Sequence, residues 1–141
     1  MDNNKKIKIL KKILSYFLIF SGILIFSIYL IFFSNFVMPW EKNEIIKTTL
    51  NWGGLNKLPE NSEIIKIEKN GSMFTRQFII EFESSNSEIN SWIKNCKNLK
   101  NITPKIENNT KVYEIHPGED GANGGKVEIN KNIVKINMSW S

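Results

Sequence analysis

The stretch from Ile13 to Met38, ILSYFLIFSGILIFSIYLIFFSNFVM, runs 26 residues without a charge and is mostly Leu, Ile and Phe. As a helix rising about 1.5 Å per residue it would reach about 39 Å, more than the roughly 30 Å hydrocarbon core of a bilayer. Such a run predicts a tilted membrane-spanning helix. It leaves about a hundred residues to form one small domain around a single core.

Lys5, Lys6, Lys8, Lys11 and Lys12 precede the run against Asp2 alone, whereas Lys42 and Lys47 follow it diluted by Glu41 and Glu44. Positive-inside bias then keeps residues 1–12 in the cytoplasm and the C-terminal domain in the periplasmic or extracellular space. Tyr16 and Trp40 suit the two interfaces. A cleaved signal peptide opens with similar charges, but its apolar region is about 7–15 residues and ends in small residues of Ala-x-Ala type. Here the only alanine is Ala122, and the only cysteine, Cys96, excludes a lipid-modified cysteine at a cleavage point. The expectation is an uncleaved, single-pass signal anchor; the alternative is cleavage near Ser34-Asn35. Ser15, Ser21, Gly22, Ser27 and Ser34 form no G-x-x-x-G pair, and no ionisable residue within the span offers a proton or ion path.

The net charge of +5 belongs mostly to the tail, which holds five of the 19 basic and one of the 14 acidic residues. What remains is nearly neutral and carries no basic footprint for nucleic acid; the tail lysines serve topology and anionic lipid. One cysteine permits no internal disulfide, so the outer domain stands on packing. A chain rich in Asn, Ile and Lys and poor in Ala and Arg fits an AT-rich, bacterial gene. The sequons at Asn101, Asn108 and Asn137 then read as chance matches.

The predicted order begins with residues 39–62, a juxtamembrane helix from Trp40 to Trp52, stopped by Gly53-Gly54, and a linker holding Pro59. The outer domain follows over 63–141. Glu63–Lys69 and Met73–Glu83 read as strands joined by a two-residue Asn70-Gly71 turn, with Phe74, Phe78, Ile80 and Phe82 on one face. Ser85 and Glu88 make a capping box for a helix whose Ile89, Trp92, Ile93, Cys96 and Leu99 share a face. Asn98–Thr110 reads as loop. Strands then cover Lys111–His116, Lys126–Asn130 and Ile133–Trp140, the last two a hairpin about Asn130-Lys131-Asn132. The expected fold is α+β, β-β-α-β-β-β, with one helix across one face of an antiparallel sheet.

Candidate chemistry is sparse. The loop HPGEDGANGG, residues 116–125, offers His116, Glu119 and Asp120 as metal ligands, but it lacks the EF-hand pattern and zinc spacing. No serine sits in a G-x-S-x-G elbow, and His116 is the only histidine. Cys96 falls on an apolar helical stripe, as core filler does. Glu81 and Glu83 read as a solvated strand face. Arg76, the only arginine, falls in phase with the phenylalanines and needs a carboxylate, an edge from which to reach water, or a ligand. Arg76 and Trp140 are therefore the partner-binding candidates. No cofactor is implied.

Leu58-Pro59, Trp92, Tyr113 through Gly118, Val127-Glu128-Ile129, Val134-Lys135-Ile136 and Ser139-Trp140-Ser141 carry a resemblance over Ser62–Ser141. The chain resembles small bacterial envelope proteins of unknown function, anchored by one helix or lipid-modified. The resemblance implies the α+β architecture and the compartment, and lends no site residues.

The function expected is that of a protein-binding module held on the inner (cytoplasmic) membrane, its partner another envelope protein, as for an immunity or inhibitor protein. One alternative is a metal-dependent or hydrolytic module around His116. Another is an accessory subunit acting through its membrane helix.

Overall fold

The computed structural model describes residues 3–72 and 74–141. The chain divides into two compact units, one ending at Ser34 and the other comprising Asn35–Ser141.

The first unit is a helix, α1 (Asn3–Phe32). Its segment Lys5–Phe32 is long and apolar enough to cross a membrane, and its apolar side chains are exposed. The helix ends earlier than the hydropathy of Ile13–Met38 predicts. The N–H groups of Phe33 and Ser34 both donate to the Tyr29 carbonyl, at 2.9 and 3.0 Å, and the chain then leaves helical geometry. Pro39 disfavours helix at Met38, whose N–H donates instead to Glu41 Oε2 at 2.9 Å. The break therefore falls at Ser34. The uncharged helical part, 13–32, still spans about 30 Å, one hydrocarbon thickness.

The second unit is an α+β fold. Helix α2 (Lys42–Gly53) precedes strands β1 (Glu63–Gly71) and β2 (Arg76–Glu83), helix α3 (Asn86–Asn95) follows, and β3 (Lys105–Glu107), β4 (Thr110–Ile115), β5 (Gly124–Asn130) and β6 (Ile133–Trp140) complete it. The six strands form one antiparallel sheet in the order β1-β2-β6-β5-β4-β3. Two points correct the expected order. A sixth strand, β3, lies inside the segment read as loop. It pairs with β4 across Asn108-Asn109, both at positive φ as a type I′ turn requires. Helix α2 is also part of the fold, since Leu50 joins the same buried cluster as Ile89 and Trp92 of α3. Two helices, not one, cover one face.

That face is apolar because the strand alternation makes it so. Ile80 and Phe82 of β2, Val134, Ile136 and Met138 of β6, and Val127 of β5 are buried, roofed by Leu50, Leu55, Ile89, Trp92, Cys96 and Leu99. Trp92 meets Phe82 edge to face at 5.7 Å, and its indole N–H donates to the Asn56 carbonyl at 3.1 Å. The opposite face carries Lys66, Glu81, Lys135 and Glu128 as successive register neighbours, an alternating ladder of charge suited to water. Strand β1 lies at one edge with a bulge between Ile64 and Lys66, a feature that blunts edge pairing.

Caps follow local chemistry. Ser85 caps α3, accepting the Glu88 N–H at 3.3 Å. The Glu88 carboxylate takes hydrogen bonds from Ser84, Ser85 and Asn61 at 2.7–2.9 Å, which hold its pKa down at about 2. Gly54 closes α2 in the left-handed region, and a Cβ there would collide with the Asn98 amide.

The β1–β2 turn also differs from expectation. Asn70 and Gly71 belong to β1, and Gly71 pairs with Arg76, so the connection is longer than a two-residue turn. Gly71 has φ +105, and the Ser72 N–H donates to the Thr75 carbonyl at 2.8 Å. Met73, the expected start of the second strand, lies outside the described residues, and Phe74 sits in the loop rather than on the core face.

Candidate functional site

The glycine-rich loop is the first sequence candidate. Its Glu119 N–H donates to the Trp52 carbonyl at 2.8 Å, and its carboxylate accepts from Lys97 Nζ at 2.9 Å and Asn98 Nδ2 at 3.2 Å. Asn98 also donates to the Gly53 carbonyl, so Glu119 fastens the loop to the end of α2 and to the segment after α3. The Lys97 and Asn98 hydrogen bonds, then the Lys97 charge, hold the Glu119 carboxyl below its usual range. His116 Nδ1 lies 3.3 Å from the Asn123 carbonyl, and Asp120 occupies a turn position at φ +51. Among the described residues, no three His, Cys, Asp or Glu side chains come together. The loop thus places Glu119 in contacts that hold the fold together.

Cys96 is buried in the core, where desolvation pushes its thiol up to about 11 despite the hydrogen bond from the Asn56 N–H. Glu83 is engaged by the Asn132 amide, and Glu81 faces Lys135 across the β2–β6 pair.

The second pair of sequence candidates does meet. Arg76, at the start of β2, and Trp140, at the end of β6, are direct register partners. Arg76 Nη1 is buried and has no hydrogen-bond partner among the described residues. A buried guanidinium donor left unsatisfied costs about 1–3 kcal/mol, more than a surface position would. Trp140 remains 38% exposed. The loop of residues 116–123 reaches the same place, where a Cβ on Gly121 would lie 3.8 Å from the Trp140 indole nitrogen.

Beneath them lies an ion pair that the sequence did not single out. Lys69 of β1, only 4% exposed, places Nζ 3.1 Å from both carboxylate oxygens of Glu41, the residue that opens α2. Burial pushes the Glu41 carboxyl up, but the Met38 N–H, the bond and charge of Lys69 and the charge of Arg76 outweigh it and hold the pKa below the usual value. Lys69 and Arg76 thus both act on the single Glu41 carboxylate. The available signal was phase: Lys69 lies opposite Phe78 as Ile67 lies opposite Ile80, on the core face. Phe78 in turn stacks on Trp52 at 5.1 Å.

Two large apolar side chains stand out around this end. Trp40 precedes Glu41 and is 77% exposed; Phe74, in the β1–β2 loop, is 75% exposed. The end therefore combines a guanidinium with an unused donor, a half-open indole and two exposed rings. Such groups bind carboxylates or phosphates and apolar surfaces, the chemistry of recognition. No family model, curated protein or solved structure gives a significant match to this chain.

Proposed function

We propose that this is a single-pass bacterial membrane protein whose outer domain binds another envelope protein without catalysing a reaction. In this reading Ile13 onward anchors the chain in the inner membrane, the lysine tail stays in the cytoplasm, and residues 39–141 lie on the outer side. An immunity or inhibitor protein, neutralising a partner that acts at the envelope, is the specific version.

The observation that supports it best is the buried, unpartnered Arg76 Nη1 opposite the half-exposed Trp140. Keeping an unsatisfied guanidinium in a small domain lowers stability, and a partner's acidic group would offset that cost. The test replaces Trp140 with a photo-crosslinking amino acid in the full chain, in its own cells. The reading expects a discrete protein adduct that disappears with Arg76→Ala. No adduct, or one indifferent to Arg76, would count against it.

A further inference from the structure

The topology puts the exposed rings at one end of the sheet. Gly71–Arg76 is the last register pair of the β1–β2 hairpin, so Phe74 lies beyond that end. The Glu41–Lys69 ion pair brings Trp40 near the last residues of β1, at the same end. Trp140 terminates β6 there. The far end holds the Lys131-Asn132 and Asn108-Asn109 turns and the start of α3, a polar set.

The aromatic end is also where the chain enters the domain. Seven residues lie between Phe32, the last of α1, and Trp40, so the eight Cα-to-Cα steps reach at most about 28 Å even fully extended. A bilayer holding α1 therefore keeps Trp40 within a short tether of its surface. Trp and Phe are the side chains that settle at headgroup level, where a ring gains from the acyl boundary without entering the core.

We propose that Phe74 and Trp40 seat the outer domain on the lipid surface, holding the Arg76–Trp140 site at headgroup height. The occupant of this apolar end is the bilayer that anchors the chain, and the proposal rests on the anchor reading. It deepens the function proposed above: a partner reaching Arg76 must itself lie at the membrane surface.

The test uses the full chain in vesicles of phosphatidylcholine and phosphatidylglycerol, labelled with a fluorophore at Thr75→Cys, which leaves Phe74 in place. Glu107→Cys, at the far end, is the reference. Cys96, buried in the core, stays unlabelled. Lipid carrying a nitroxide just below the headgroup should quench the label at 75 several-fold more than at 107. Adding Phe74→Asp and Trp40→Asp, both at exposed positions, should bring the two to the same level. Equal quenching at 75 and 107, with the chain floating with the vesicles and resisting carbonate, would overturn the seating while leaving the anchor intact. Failure to float would overturn both. Quenching at 75 that survives the double substitution would assign the approach to the tether alone and also overturn the role of the rings.

Discussion

Glu41 holds Lys69 through both of its carboxylate oxygens, each 3.1 Å from Nζ, and so joins the N-cap of α2 to an edge strand near its C-terminal end. The lysine is nearly inaccessible while the carboxylate is 27% exposed, so the two partners are unequal. Removing the acid strands a buried ammonium; removing the base leaves a carboxylate that can turn to water.

Glu41→Gln should accordingly lower stability by about 2–3 kcal/mol, somewhat less than breaking a fully buried pair, whereas Lys69→Met should cost clearly less. Combining the two should recover most of the loss. Urea unfolding of the full chain in detergent micelles, followed by tryptophan fluorescence, would check the order. Equal losses in the two single variants would contradict the unequal burial of the partners.

The acid limb of the stability curve should carry the mark of Glu88. Its folded pKa, about 2, lies below the ordinary 4.5, so its contribution is present above 4.5 and is lost as pH falls towards 2. Glu41 and Glu119, also depressed, act in the same direction. Glu88→Gln should flatten the loss of stability between pH 4.5 and 2, and carboxyl-detected NMR on the native chain should find Glu88 still ionised at pH 3.

Gly54→Ala should destabilise the domain by about 2 kcal/mol, because the left-handed cap strains any other residue and the new methyl group meets Asn98. Ser85→Ala, which removes the α3 cap, should cost about 1 kcal/mol. Denaturant midpoints for the two variants would test the order, which reverses only if Asn98 can move aside freely.

Much of this fold could be read from short-range pattern, and α3 shows why. Its cap, its acid at the third position and the Ile89, Trp92 and Ile93 stripe lie within a few turns of chain. The helix stops at Asn95, however, and Cys96 and Leu99, expected on it, reach the core from the extended cap and the turn beyond. Strand β3 left no such trace, since Lys105, Ile106 and Glu107 are all exposed and form an outer edge. The Asn70-Gly71 signal identified the correct hairpin but the wrong turn, because Gly71 serves a wider loop closed by Ser72 and Thr75. Hydropathy overran the end of α1 because Phe33, Phe36, Val37 and Met38 suit lipid whether or not they are helical. Arg76 was visible as a cation out of place, and its register with Trp140 follows from the β2–β6 pairing. Lys69 shared that phase, but the carboxylate that allows its burial lies 28 positions away in the chain. His116, Glu119 and Asp120 are close in sequence, yet Lys97 and Asn98 claim Glu119 from elsewhere in the chain.

The most direct test of the central claim, that Arg76 is kept for recognition and not for folding, is Arg76→Met followed by two readings on the same variant. The account predicts an unfolding free energy unchanged or raised by up to about 1 kcal/mol, since an unsatisfied buried donor is removed, together with loss of the crosslinked adduct from position 140. A clear fall in stability with the adduct retained would make Arg76 a structural residue and contradict it.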